Sequence, residues 1–219
     1  VPGTSCTVFY PTDGVSDVQK LQMTTTGGEN THVIALNGNF DDAQSGVKAL
    51  FSSEDFHQQV NARGKVLSSA NSINFGRLVP QIVYYFSAYA DLLNAGAIAL
   101  GDEVNFVVPT GNFGNIWAAW YAKQLGLPIG RLGCASNTNK VLTDFFQSGV
   151  YDRRREFFQT NSPSMDILIS SNLERFLFEI TNHNGEKVAK WMDELKKDGI
   201  FTVDEATKAQ MDRYIIAGF

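Results

Sequence analysis

Residues 104–128 read VNFVVPTGNFGNIWAAWYAKQLGLP, and this stretch decides the fold class. The apolar, β-branched run Val104–Val108 predicts a buried strand. The pattern that follows predicts a helix over Phe113–Leu125, because it has helical periodicity and stops at Gly126, a typical residue after a helix end. A buried strand that passes directly into a helix is half of a βαβ unit.

The same alternation of strand and helix extends through the first 150 residues. Further strands are predicted at Thr7–Tyr10, His32–Leu36, Lys65–Ser69 and Arg131–Ala135. Further helices are predicted at Asp41–Phe51, capped by Asp41, and at Leu78–Leu93. Strands alternating with helices of about 10 to 16 residues indicate an α/β fold, with a mainly parallel open sheet and flanking helices.

After residue 150 the pattern changes to helices without a convincing strand. The predicted helices are Asn172–Thr181, Gly185–Lys197 and Asp204–Ile216. We therefore expect two parts: residues 1–150 as part of a large α/β domain, and residues 151–219 as a helical segment. That segment would pack on the sheet or link to further parts of the protein.

The charge of the chain argues against nucleic acid as a partner. The formal net charge is −5, so no broad basic field is present to displace counterions from a phosphate backbone. The one dense basic run, Arg153–Arg155, is flanked by Asp152 and Glu156. We interpret this run as the solvated start of a helix.

The cysteines and histidines give no sign of a metal site or a hydrolase triad. Cys6 and Cys134 lie far apart without metal-ligand spacing, and both are expected to be buried free thiols in a reducing compartment. The histidines at 32, 57 and 183 are isolated, with no nucleophile motif nearby. No signal peptide or apolar run of about 20 residues is present, so we expect a cytoplasmic protein that makes no membrane contact.

The turn between the central strand and its helix is unusually polar. Gly111 and Gly114 are expected to allow positive φ and close approach to a ligand. Consecutive backbone amides at the start of a helix form a cradle for an anion. Thr110, Asn112 and Asn115 would add neutral donors.

Two interpretations of this turn remain open from its residues alone. Its glycine spacing matches neither GxGxxG nor GxxxxGK[ST], so it gives no support to a dinucleotide or nucleoside triphosphate site. It is either a tight strand-to-helix turn with an Asn cap or an anion cradle. Because neutral donors and no Lys are present, a cradle here would suit the phosphate monoester of a cofactor better than a transferring phosphoryl group.

A second polar turn precedes the long apolar helix. Pro80 is expected in the first turn of that helix, where its missing N–H matters little. The helix should then begin between Phe75 and Arg77, with Asn74 as its cap.

Arg77 would then be a cation in a first helical turn, where the helix dipole disfavours it. Its position makes sense if a second anion binds there, together with Asn71, Ser72 and Asn74. The alternative is that Arg77 pairs with a surface carboxylate.

The two turns lie in motifs that resemble a known enzyme family. NSINFGRLVPQIVYYF (71–86) and VPTGNFGNIWAAWYAKQLGLP (108–128) closely resemble threonine synthases of bacteria and fungi. Three flanking segments agree with the same family: YPTDGVSDVQKLQMTTTGGENTHVIALNGNFDDAQ (10–44), ASNTNKVLTDFFQSGVYDRRR (135–155) and SPSMDILISSNLERFLFE (162–179). The resemblance extends from Tyr10 to Glu179.

The resemblance implies a pyridoxal 5′-phosphate (PLP) enzyme of fold type II, like tryptophan synthase β. Such enzymes convert O-phosphohomoserine and water into threonine and phosphate. The residues that match the family's cradle for the PLP phosphate are Thr110, Gly111, Asn112, Phe113, Gly114 and Asn115. Those that match or neighbour its site for the substrate phosphate are Asn71, Ser72, Asn74 and Arg77.

Two family motifs are not found in this sequence. One is the FKD-like motif with the lysine that carries the cofactor, and the other is the AHPAKF-like C-terminal segment. We therefore expect a central fragment without a catalytic residue, inactive alone and prone to dimerise through surfaces exposed by truncation. The alternatives are another fold-type-II PLP lyase, such as a serine or threonine dehydratase, and a non-catalytic phosphate-binding relative.

Overall fold

A computed structural model describes residues 3–12, 15–38, 40–68 and 74–218. The chain divides into two units, Val1–Ser68 and Ser69–Phe219, and each is described by itself. The boundary expected near residue 150 therefore falls inside the second unit.

The first unit is a pair of parallel strands with three helices. The strands pair in register from Cys6 opposite Thr31 to Pro11 opposite Leu36. The elements are β1 (Cys6–Pro11), α1 (Asp17–Thr25), β2 (Thr31–Leu36), α2 (Phe40–Ser52) and α3 (Glu54–Ala62). Both strands and the second helix confirm the sequence prediction, whereas α1 and α3 are additional.

Two details of the first unit correct the prediction. Helix α2 begins at Phe40, so Asp41 lies inside its first turn and is not its cap. The strand predicted at Lys65–Ser69 is wrong for residues 65–68, which have no regular structure. Val66 is 87% exposed, so an apolar residue of the predicted strand lies in solvent and not in a core.

The second unit is built around a three-stranded parallel sheet. The strand order is β3-β4-β7, with Val108 opposite Cys134 and Cys134 opposite Ala217. Its first six elements are α4 (Phe75–Asn94), β3 (Val104–Pro109), α5 (Gly114–Gln124), β4 (Ile129–Ala135), α6 (Val141–Ser148) and β5 (Val150–Asp152). Its remaining elements are α7 (Leu173–Ile180), α8 (Gly185–Asp198), β6 (Ile200–Thr202), α9 (Glu205–Tyr214) and β7 (Ile215–Gly218).

Helix α5 lies in the middle of the second unit's core. Its residues from Ile116 to Trp120 are all buried, and α4 packs alongside it. Trp117 and Trp120, which lie on this helix, belong to the core, with exposures of 3% and 7%. An α/β fold with parallel strands and flanking helices is therefore present, as predicted.

The prediction that no strand follows residue 150 is wrong. Strands β5 and β6 form an antiparallel pair, and β7 pairs with β4. β5 and β6 have three residues each, too few to show a period of two. The apolar residues at the start of β7 continue the helical pattern of α9, so the predicted helix extends into the strand as far as Ile216.

The basic run also differs from the prediction. Arg153 to Arg155 follow β5 in a loop and do not begin a helix. Arg154 pairs with Asp152 at 2.9 Å, and Arg155 pairs with Asp144 at 2.7 Å. Local carboxylates therefore neutralise two of the three charges.

The two cysteines lie in different surroundings. Cys134 is 1% exposed on β4, and burial raises the pKa of its thiol to about 12. Cys6 is exposed, so the expectation that both thiols are buried is wrong for Cys6. Across the described ranges no cluster of metal-ligating side chains is found, and no helix there has the length and apolar character needed to cross a membrane.

Candidate functional site

The first polar turn lies at the carboxyl end of β3, beside the end of β4. The Thr110 N–H donates to the Ala135 carbonyl at 2.8 Å, which extends the pairing of the two strands by one residue. The Thr110 hydroxyl donates to the Val108 carbonyl at 2.6 Å, and its side chain is buried. The single hydroxyl hydrogen of Thr110 is therefore engaged in this bond at the end of the strand.

The positive φ in this turn belongs to Phe113 and not to the glycines. Phe113, the residue before α5, has φ 63°. Neither Gly111 nor Gly114 has a positive φ, so that part of the prediction is wrong. Gly111 is needed for close packing instead, because a Cβ there would lie 3.0 Å from the Ser164 carbonyl oxygen.

The ring of Phe113 holds this left-handed conformation in place. It is 1% exposed and lies 5.6 Å from Phe146 and 5.3 Å from Phe176 between ring centroids. For a residue with a side chain, the left-handed backbone conformation raises the conformational free energy by about 1–2 kcal/mol. Burying an aromatic ring of this size contributes about as much or more, so packing between distant segments determines the local backbone.

Among the described residues, no side chain caps the start of helix α5, so the Asn cap that was one alternative for this turn is absent. Within the described part of the chain, the N–H groups of residues 111–115 donate no hydrogen bond. These N–H groups lie at the positive end of the helix dipole, and the Asn112 side chain is exposed beside them. Unused amide donors at a helix start fit a phosphate group.

The side chain of Asn115 is held by α4. Tyr85 donates its hydroxyl hydrogen to Asn115 Oδ1 at 2.7 Å, and the hydroxyl also lies 3.1 Å from the Asn115 carbonyl. Burial raises the pKa of Tyr85, so its hydroxyl stays protonated and acts as a donor. Asn115 Nδ2 donates to Gln81 Oε1 at 2.9 Å.

At the second turn, the helix cap and the helix start are those predicted from the sequence. Asn74 caps α4 by accepting from the Gly76 N–H at 2.9 Å, and the helix begins at Phe75 as predicted. Arg77 lies in the first turn of α4 and is exposed to solvent. Asn71 and Ser72 lie outside the described residues.

Pro80 does not lie in the first turn of the helix, as was expected. It is the sixth residue of α4, so it has no N–H to donate to the carbonyl of Gly76 four residues earlier. Gly76 is exposed, which leaves that carbonyl open to water.

Gln81 connects the two polar turns. It accepts from Asn115 Nδ2 through Oε1, and its Nε2 donates to the Arg77 carbonyl at 2.7 Å. The residues predicted to hold two anions are therefore joined by one amide side chain. Sequence reasoning did not identify Gln81, although its position one helical turn after Arg77 was a usable signal.

Two further residues of the site were also missed. Ser170 donates to the carbonyl of Gly111, and Asn172 donates to the carbonyl of Asn112. Both lie in the segment 162–179, whose resemblance to a family was noted without a role for either residue. Their polar side chains beside an apolar helix gave no local signal of a long-range contact.

No family model matches the chain. Curated relatives do match it over most of its length. It is 46% identical over 211 residues to threonine synthase-like 1 of Pongo abelii, 40% over 208 residues to threonine synthase of Saccharomyces cerevisiae, and 43% over 201 residues to that of Pseudomonas aeruginosa. These alignments cover 90–95% of this chain but only 28–40% of the relatives.

Solved structures give the same result for the fold. A PLP-bound threonine synthase from Brucella melitensis superposes with a TM-score of 0.82 at 38% identity, covering 99% of this chain and 50% of that structure. The yeast threonine synthase superposes with a TM-score of 0.81 at 38% identity, covering 98% and 42%. The fold-type-II architecture implied by the sequence motifs is thus present.

Proposed function

We propose that this chain, a homologue of threonine synthases over about nine tenths of its length, forms the phosphate-binding part of a PLP-dependent threonine synthase. The observation that carries the proposal is the uncapped start of α5 with its unused N–H groups. The likeness to a PLP-bound threonine synthase at 38% identity supports the same assignment. Activity is proposed for a longer protein that includes this sequence, because the chain spans only 28–40% of its curated relatives.

In this proposal the turn after β3 holds the cofactor. The N–H groups of residues 111–115 and the exposed side chain of Asn112 bind the phosphate of PLP. Thr110 fixes the turn to the sheet edge, and Asn115 fixes it to α4. When bound, PLP supplies an electron sink for the α-carbon of an amino-acid substrate.

The second turn is proposed to bind the phosphate of O-phosphohomoserine, which a carbon–oxygen lyase releases while water adds to give threonine. Arg77 would stabilise the charge on the departing phosphate. Asn74, as the cap of α4, would fix the position of Arg77 in the first turn of that helix. Asn71 and Ser72 are included from the family motif. The lysine that carries the cofactor would come from sequence outside this chain.

The same proposal includes the cellular compartment and the partners of the protein. Both cysteines are free, which suits a reducing cytoplasm. We propose no nucleic-acid or membrane partner.

The test is Arg77→Ala in the longer protein, with Arg63→Ala as the matched control, because both residues are exposed and lie near helix ends. We expect kcat/KM for O-phosphohomoserine to fall about 10- to 100-fold in Arg77→Ala, as a charged hydrogen bond is lost. PLP binding and the control should be unchanged.

The alternatives predict different results in the same assay. Unchanged turnover of O-phosphohomoserine in Arg77→Ala would contradict the role of Arg77. Dehydration of serine or threonine by the wild-type protein, without use of the phosphorylated substrate, would support a dehydratase. Phosphate binding without any turnover would support a non-catalytic relative.

A further inference from the structure

Two buried side chains hold the carbonyl groups of the turn that begins α5. Ser170 Oγ donates to the Gly111 carbonyl at 2.9 Å. Asn172 donates twice to the Asn112 carbonyl, from its backbone N–H at 3.1 Å and from Nδ2 at 2.9 Å. Ser170 is 7% exposed and Asn172 is fully buried.

These contacts fix the direction of two N–H groups. In a trans peptide the C=O and N–H point in opposite directions, and every described peptide bond is trans. The Gly111 carbonyl shares a peptide plane with the Asn112 N–H, and the Asn112 carbonyl shares one with the Phe113 N–H. With both carbonyls turned toward residues 170–172, both N–H groups point away from that segment.

We infer that Ser170 and Asn172 are positioning residues, which orient the N–H groups of Asn112 and Phe113 toward the bound phosphate. This inference rests on the proposed function, because it assigns these two residues to the same phosphate-binding turn. Neither residue is proposed to touch the phosphate itself.

The two positioning residues are themselves held in one orientation. An Arg guanidinium can only donate, and Arg175 Nη1 donates to Asn172 Oδ1 at 3.1 Å. Oδ1 therefore faces Arg175, and Nδ2 is left to donate to the turn. Ser170 is fixed by its N–H, which donates to the Tyr151 hydroxyl at 2.9 Å.

A purely structural role would have a different signature from a positioning role. If the two residues only stabilised the turn, their loss would lower stability and weaken all ligands of the site alike. If they aim N–H groups at an anion, their loss weakens ligands that carry a phosphate and spares the same ligand without it.

The experiment compares PLP with pyridoxal, which lacks the phosphate, as ligands of the 219-residue chain. Dissociation constants are measured by quenching of tryptophan fluorescence for the wild type and four variants. The variants are Ser170→Ala, Ser170→Thr, Asn172→Ala and Ser171→Ala. Ser171 is the matched control, because it lies between the two positioning residues and is half-buried.

We expect Ser170→Ala and Asn172→Ala to bind PLP about tenfold or more weakly, which corresponds to the loss of an oriented hydrogen bond to a charged group. Pyridoxal binding should be unchanged. Ser170→Thr keeps the hydroxyl and should keep wild-type affinity, as should Ser171→Ala.

Other outcomes separate the inference from the proposed function. If the wild type prefers PLP to pyridoxal and Ser170→Ala binds PLP as tightly as Ser171→Ala, the positioning role is wrong while the phosphate site stands. If the wild type does not distinguish the two ligands, the proposed site fails and the inference fails with it. If Asn172→Ala no longer unfolds cooperatively on heating, the comparison of Ser170→Ala with Ser170→Thr tests the positioning role instead.

Discussion

Among single residues, Tyr85 joins the candidate site, the turn at residues 110–115, to helix α4. Its hydroxyl reaches both the side chain and the carbonyl of Asn115, and the residue is 5% exposed. Its ring also lies 5.0 Å from Phe106 of β3, in an edge-to-face arrangement. One side chain therefore connects a helix, a strand and the candidate site.

Tyr85→Phe should lower the free energy of unfolding by about 1–2 kcal/mol, since it removes the donor but keeps the ring. The change is measured by urea denaturation. Tyr84→Phe is the control, because Tyr84 is 60% exposed on the same helix and should change stability little. Equal stability of both variants would show that the Tyr85 hydroxyl contributes nothing.

The site residues predicted from sequence are those that depend on local rules. The Asn74 cap and the start of α4 follow from neighbours along the chain, and both are confirmed. The left-handed Phe113 was not predicted, because its conformation depends on packing against residues 33 and 63 positions later. Asn172 was missed for the same reason, since its contact with Asn112 joins separate elements.

At the scale of elements, helix α9 depends on one carboxylate at its start. Asp204 Oδ1 accepts from the Thr207 N–H at 2.9 Å, and Oδ2 pairs with Lys187 of α8. The hydrogen bond from Lys187 lowers the pKa of Asp204 from 3.8 to about 2. The same residue thus caps α9 and ties it to α8.

Asp204→Ala should reduce the free energy of unfolding by about 1 kcal/mol at pH 7, because the cap is lost, whereas Asp204→Asn should retain most of it. The lowered pKa means that the carboxylate contributes fully above pH 3.8 and less as the pH falls through about 2. The stability gap between wild type and Asp204→Asn should therefore close as the pH falls from 4 toward 2, as measured by thermal unfolding. A gap that widens in this range would contradict the assignment.

Element length accounts for part of what was predicted, although α6 and α7 have eight residues each and only α7 was predicted. The helices of ten or more residues in the second unit, α4, α5, α8 and α9, all appeared in the sequence pattern. Strands β5 and β6 did not, because three residues carry no readable period. Strand β7 depends on pairing with β4, which no local pattern reports.

At the scale of the whole molecule, the two units differ in the core that they contain. Among the described residues of Val1–Ser68, the buried apolar side chains are Tyr10, Pro11 and Ala43. The second unit has one continuous core that extends from Leu78 to Ile215. With so little apolar surface buried among its described residues, this unit is expected not to offset the conformational entropy of folding by itself.

Expressed separately, residues 69–219 should unfold cooperatively in urea, and residues 1–68 should show no cooperative transition. Far-UV circular dichroism during denaturation measures both. The intact 219-residue chain is the control. A cooperative transition in the isolated residues 1–68 would contradict this account.

The position of β7 has a consequence for synthesis on the ribosome. Strand β4 is the middle strand of its sheet, yet Leu132 pairs with Ile215, 83 residues later. At about 5–20 residues per second, one edge of β4 stays open for roughly 4–17 s in each nascent chain. During that interval neighbouring nascent chains can add a strand at the open edge, so slower translation or higher expression should increase aggregation before the chain is complete.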